Sequence, residues 1–129
     1  MTRTNVPKPT AGELEILRVL WERGPSTVRE VHGALSRDKD VGYTTVLKLL
    51  QIMTAKGAVR RNQEQRAHVY EACQPAEKTK RALAGDVLQR VFQGSASQLM
   101  MHALEGRRTS RDELEKLRRL LDDYERGLR

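Results

Sequence analysis

Apolar residues in the first half of the chain recur three times at helical spacing, after which the period drops to two. Leu14, Leu17, Val19, Leu20 and Trp21 make a broad apolar face with charged residues between them. Thr10 and Glu13 have the spacing of a capping box, in which each side chain bonds the other's free backbone N–H, and Gly24-Pro25 stops the run. A helix over Ala11 to Arg23 is predicted. Thr27 and Glu30 repeat the cap, and Val28, Val31 and Leu35 place a stripe on a short second helix ending near Ser36. A charged loop, Arg37 to Asp40, follows. From Tyr43, Val46, Leu49, Leu50 and Met53 fall at i, i+3, i+4 and i+7 of a third helix, closed by Gly57. The next two runs, Ala58 to Gln63 and Ala67 to Ala72, alternate around the polar turn Glu64-Gln65-Arg66 and predict a hairpin.

Pro75 marks a seam. Beyond it, Ala76 to Phe92 reads as a fourth helix with Leu83, Val87, Leu88, Val91 and Phe92 apolar, broken by Gly94. A short helix, Ala96 to Leu104, carries Leu99, Met100, Ala103 and Leu104; past Gly106, Ser110 and Glu113 cap a last one. There Leu114, Leu117, Leu121, Tyr124 and Leu128 alternate by three and four, the spacing of a helix-pairing seam. Three amphipathic helices in a short span have little core of their own, so intertwining with a second copy is the economical solution. The fold class is therefore mainly α. Residues 1–74 are expected to form a winged helix-turn-helix, three helices with a β-hairpin wing, and residues 75–129 a three-helix dimerisation domain. Leu83, Val87, Val91, Leu99, Leu114, Leu117, Leu121 and Tyr124 are the expected interface.

Composition narrows the classes. At 129 residues with 38% hydrophobic content the chain suits one ordinary soluble domain or two small lobes, and no apolar run is long enough to span a bilayer. Met1 to Thr10 carries Pro7 and Pro9 and lacks the apolar core of a secretory signal, so the expected location is cytoplasmic. The single cysteine, Cys73, cannot form an internal disulfide and is read as a half-buried small residue. The formal net charge of +7 suits a polyanionic partner. Up to Gln74, 12 Lys/Arg face 8 Asp/Glu, and Lys48, Lys56, Arg60, Arg61 and Arg66 against Glu64 account for that whole excess. Phosphate contacts are expected in that stretch.

The face of the third helix opposite its stripe is made by Thr44, Lys48, Gln51 and Ala55, with Thr45 and Leu47 on its flanks. These groups suit groove reading: hydroxyls bond phosphates or base edges, Gln pairs with adenine, Lys reaches guanine, and an apolar group meets a thymine methyl. Leu47 is expected to be exposed. Arg60, Arg61 and Arg66 would lie along the sugar-phosphate backbone or tip into the minor groove. Arg29, after the second helix's cap, and Tyr43, at the start of the third, add candidate phosphate contacts. His32, His68 and His102 lie on different elements with no metal-ligand spacing and are read as ordinary histidines. No metal, cofactor, phosphate loop or nucleophile-base set is visible, so the chain is read as a non-enzyme.

Several segments together resemble the penicillinase-repressor (BlaI/MecI) family, which extends to copper-responsive CopY-type repressors. They are Thr10 through Trp21, Thr27 through Val31, Tyr43 through Gln51, Lys56-Gly57 and Ala67-His68-Val69-Tyr70. The resemblance implies a homodimeric repressor of β-lactamase-type or stress-response genes, among them antibiotic-resistance genes, bound to a palindromic operator on double-stranded DNA. By position it assigns Thr44, Thr45 and Lys48 to the groove and the wing arginines to the flanks. In antibiotic-responsive members a membrane sensor metalloprotease leads to cleavage inside the dimerisation domain; the aligned region here is Met101-His102. The Asn-Phe bond cut in those members is not present there, and no cysteine follows Cys73 to supply the copper-binding pattern. Two other readings stand beside this one: a winged-helix protein-interaction module, and a regulator sensing thiols or a ligand through Cys73 or a pocket.

Overall fold

The computed structural model describes residues 8–64 and 66–128. Residues 1–7 of the N-terminal reading, Pro7 among them, and Gln65 of the wing turn lie outside the described residues. The order is α1 (Ala11–Arg23), β1 (Ser26–Thr27), α2 (Val28–Leu35), α3 (Tyr43–Lys56), β2 (Val59–Asn62), β3 (Val69–Ala72), α4 (Ala76–Arg90), α5 (Ala96–Leu104) and α6 (Arg111–Gly127). The chain is mainly helical with one small antiparallel sheet.

Local chemistry accounts for the helix ends. The Thr10 hydroxyl accepts from Glu13 N–H at 3.2 Å while the Glu13 carboxylate accepts from Thr10 N–H at 3.1 Å. Thr27 and Glu30 repeat this at 3.1 and 2.9 Å. Each box satisfies two amides that a helix start leaves without intrahelical partners. At the far end of α3, Gly57 adopts φ 85°, the left-handed conformation that lets the chain reverse without a Cβ clash. Ser110 caps α6 through its hydroxyl, which accepts from Glu113 N–H at 3.0 Å.

In three elements the fold departs from the sequence expectation. The sheet has a third strand: β1 pairs with β3, Ser26 opposite Tyr70 and Thr27 opposite Val69, giving the order β1-β3-β2. Two residues are too few to show a period, and their partner strand is far along the chain. The hairpin strands are also shorter than the alternating runs, each four residues long. Finally α4 ends at Arg90, ahead of Phe92, because the chain turns left-handed at Gln93 (φ 47°) and Gly94 (φ 84°). The Gly94 N–H then returns to the Leu88 carbonyl at 2.8 Å, a Schellman-type closure that uses up the last turn.

The described residues form two compact units that divide between Ala84 and Gly85, within α4. The first has a closed core of Ile16, Leu17 and Leu20 from α1, Val28 and Val31 from α2, and Val46, Leu50 and Met53 from α3, completed by Val59 and Tyr70. Ile16, fully buried, belongs to the α1 face beside Leu17 and Leu20, whereas Leu14, Val19 and Trp21 are half-buried. In the second unit nothing described on α5 or α6 is buried.

Candidate nucleic-acid interface

The face that α3 offers to solvent follows from the stripe it buries. With Val46, Leu50 and Met53 inward, Thr44, Lys48, Gln51 and Ala55 come out on the opposite side, all exposed, flanked by exposed Tyr43 and Thr45. Leu47 departs from its expected exposure: it is half-buried and packs against the core, because its position on the helix turns it toward α2 and the wing. Ile52 takes the opposite role. It is 39% exposed on the flank shared with Thr45, and the only sequence signal was an apolar residue standing off the buried stripe.

The start of α3 differs chemically from the starts of α1 and α2. Its N-cap is Gly42, which has no side chain to accept a hydrogen bond, and its first turn holds no acidic residue. The first intrahelical bond is Val46 N–H to Gly42 O at 3.2 Å, so the preceding amides are left for an outside acceptor. Amides and helix dipole there favour an anion. Behind this end, His32 Nε2 bonds the Val41 carbonyl at 2.9 Å, and its ring meets Tyr43 edge-on with centroids 5.8 Å apart. The turn between α2 and α3 is braced by that histidine.

Charge on the wing is partly spent inside it. Arg60 lies directly across the ladder from Glu71, and its Nε donates to Glu71 Oε2 at 2.8 Å. This hydrogen bond holds the Arg60 guanidinium above its ordinary value, with the Glu71 charge adding to it. Arg61 is exposed and, with the Gln63 amide turned to present its oxygen, donates to it at 2.6 Å. Arg66 is exposed. Arg60 and Arg61 share one open hollow of about 630 Å³ with Asn62 and Glu64.

Lys56, counted above among the phosphate-seeking cations, is instead engaged by Glu13, with Nζ at 3.0 and 2.9 Å from the two carboxylate oxygens. Burial alone would raise the Glu13 carboxyl. The Lys56 hydrogen bond, the Thr10 N–H and the Lys56 charge outweigh it and hold the group below its ordinary value. The pair ties the end of α3 to the start of α1 and leaves Lys48 as the α3 cation facing solvent.

A second cleft, of about 410 Å³, brings together residues from three separate segments. Thr27, Val28 and Arg29 come from β1 and the start of α2; Tyr43 and Leu47 come from α3; Ala67, His68 and Tyr70 come from the wing. Arg29, Tyr43 and Leu47 were singled out from sequence as DNA contacts, whereas His68 was read as an ordinary histidine. Thr44, Lys48 and Gln51 stand outside this cleft, on the open face of α3.

On the later helices, Leu83, Leu99, Leu114 and Leu117 are half-buried, while Val87, Val91, Leu121 and Tyr124 are exposed, Tyr124 to 71%. Met101 and His102 are exposed on α5, with the His102 ring against Phe92 at 5.6 Å between centroids. Leu120, 51% exposed, was missed because it falls off the three-four alternation. Cys73 is half-buried. Among the described residues no His, Cys, Asp or Glu side chains gather in metal-holding groups of three or more, and no helix is long and apolar enough to cross a membrane.

Comparison with known proteins agrees with this geometry. Residues 9–123 match the penicillinase repressor family. A transcriptional regulator BlaI of Mycobacterium tuberculosis is 38% identical over 120 residues, covering 90% of this chain and 86% of the relative. The penicillinase repressor of Bacillus licheniformis is 24% identical, over 92% of this chain and 93% of its own. The methicillin resistance regulatory protein MecI of Staphylococcus aureus is 20% identical, over 88% and 92%. Among solved structures, the monomeric form of Bacillus licheniformis BlaI in complex with the blaP half-operator aligns with a TM-score of 0.50 and 26% identity, over 57% of this chain and 89% of that one. Family match, relatives and fold converge: the chain belongs to the penicillinase repressor family.

Proposed function

We propose that this protein is a sequence-specific DNA-binding transcriptional repressor that acts as a homodimer on a palindromic operator in the cytoplasm. The observation that carries the reading is the face of α3: Thr44, Lys48 and Gln51 stand exposed opposite a fully buried stripe, in a chain whose relatives are named as a transcriptional regulator and a penicillinase repressor. A structural neighbour solved on a half-operator supports the same use of the fold. In this reading residues 1–74 are the DNA-binding domain and residues 75–129 the dimerisation domain. Thr44, Thr45, Lys48 and Gln51 read the major groove. Tyr43, Leu47 and Arg29 pack on the adjoining backbone, and Arg60, Arg61 and Arg66 flank it. The dimer buries Leu83, Val87, Val91, Leu99, Leu114, Leu117, Leu121 and Tyr124. The reading includes no cleavage step, since Met101-His102 stands where the cut bond of antibiotic-responsive members would be.

The test is binding to a duplex selected from a random-sequence pool, against a scrambled duplex of equal length, over a salt series. The selected duplex is expected to win, with affinity falling steeply with salt as phosphate contacts release counterions. Lys48→Ala is expected to weaken binding about 5- to 150-fold, since one good base contact discriminates by roughly 1–3 kcal/mol. Its melting temperature should match the parent's, because Lys48 is exposed. Undiminished affinity in this variant would remove the assigned face.

A further inference from the structure

The cleft between α2, α3 and the wing is lined by a histidine that the proposed function leaves unused. We propose that this cleft seats a backbone phosphate of the bound duplex and that His68 holds it in its protonated form, so that DNA affinity rises as pH falls. This rests on the DNA-binding reading and adds to it a contact and a proton dependence.

The cleft has the chemistry of a phosphodiester seat. Of the residues lining it, Arg29 is a full cation, Tyr43 and Tyr70 are phenols, His68 is an exposed imidazole, and none is a carboxylate. Val28 and Leu47 give an apolar wall against which a deoxyribose can lie. The uncapped first turn of α3 begins at Tyr43, on the same cleft.

Three acidic groups of the surrounding elements are engaged elsewhere, and Glu64 of the wing turn lines the other hollow, beside Arg60 and Arg61. On α2, Glu30 accepts from the Thr27 amide and lies 3.8 Å from Arg23. Glu71 of β3 is paired with Arg60 of β2, and Glu13 of α1 with Lys56 of α3. The sequence of α3 holds no carboxylate at all. The other titratable group nearby, His32, bonds the Val41 carbonyl from behind Tyr43. An anion entering the cleft therefore meets Arg29 and His68 with no opposing lining charge. Imidazole gains its charge between about pH 8 and pH 5, and a charge-assisted hydrogen bond to phosphate is roughly twice as strong as a neutral one. Bound phosphate favours the protonated ring, and by linkage the protonated ring favours bound DNA.

The experiment uses the full chain and its selected duplex at constant ionic strength, at about pH 6 and about pH 7.5, with His68→Gln, His68→Arg and Lys48→Ala beside the parent. The parent is expected to bind roughly 3- to 10-fold tighter per half-site at the lower pH. His68→Gln should lose most of that difference. His68→Arg should bind at the higher pH about as tightly as the parent does at the lower. Lys48→Ala should be weaker at both values yet keep the pH dependence, which separates this contact from base reading. A His68→Gln protein that melts like the parent and keeps the parent's pH dependence overturns the proposal while leaving the repressor reading intact. A parent that prefers no duplex overturns both.

Discussion

The two compact units of this chain use their apolar residues in opposite ways. In the first, Ile16, Val31, Val46, Leu50 and Met53 are sealed from water, and the exposed face of α3 is polar and basic. In the second, Leu121 is 68% exposed and Leu128 83%, on a helix whose leucines repeat at a pairing spacing. Each fully buried aliphatic side chain contributes roughly 1.5–3 kcal/mol, and the second unit has none on α5 or α6 with which to offset the entropy of ordering its backbone. In the proposed reading such a chain divides its labour: the first unit encloses a core and offers polar groups to DNA, while the second gains its core by pairing with a second copy.

That contrast can be broken from either side, and the largest effect is expected in the unit without a core. Changing Leu117 and Leu121 together to Asp should yield monomers. Binding to a palindromic duplex should then fall by about 10²- to 10⁴-fold as the second half-site is lost, while the melting of the first unit stays in place. Leu50→Ala should do the reverse: a cavity in the closed core costs about 2–5 kcal/mol of the first unit's stability, and sedimentation should still report a dimer.

A smaller effect sharpens the picture of how the first unit holds its α3 face. Glu13→Gln keeps a side chain able to complete the Thr10 cap but deletes the charge beside Lys56, and should cost about 1–3 kcal/mol, discounted because Lys56 is partly exposed. Because the Glu13 carboxyl titrates lower in the folded protein than in the unfolded chain, its contribution is complete above the unfolded value, about 4.3, and is lost as pH falls through the lowered folded one. Thermal melts from about pH 6 to about pH 3 should therefore converge for Glu13→Gln and the parent at the acid end. Curves that stay parallel would show that the pair stores no proton-linked stability.

How much of this was legible in the sequence depended on whether the cause was local. Capping boxes at Thr10 and Thr27, the glycine at position 57 and the period of α3 act within a few residues, so the helices and the exposed Thr44, Lys48 and Gln51 could be read directly. Strand β1, the engagement of Lys56 by Glu13 and the burial of Leu47 depend on partners distant along the chain, and no local pattern announces them. The same holds for His68. It reads as an ordinary wing residue until the fold brings it into the cleft that Arg29 and Tyr43 also line.

In the proposed reading the coreless unit pairs the chains so that two α3 faces engage one duplex. The most direct test of this reading is sedimentation of the full-length protein with and without its selected duplex, read as mass. A dimer in free solution and two chains on each duplex, formed together without a stable one-chain intermediate, are expected. A monomer that occupies the duplex singly at full affinity would contradict it.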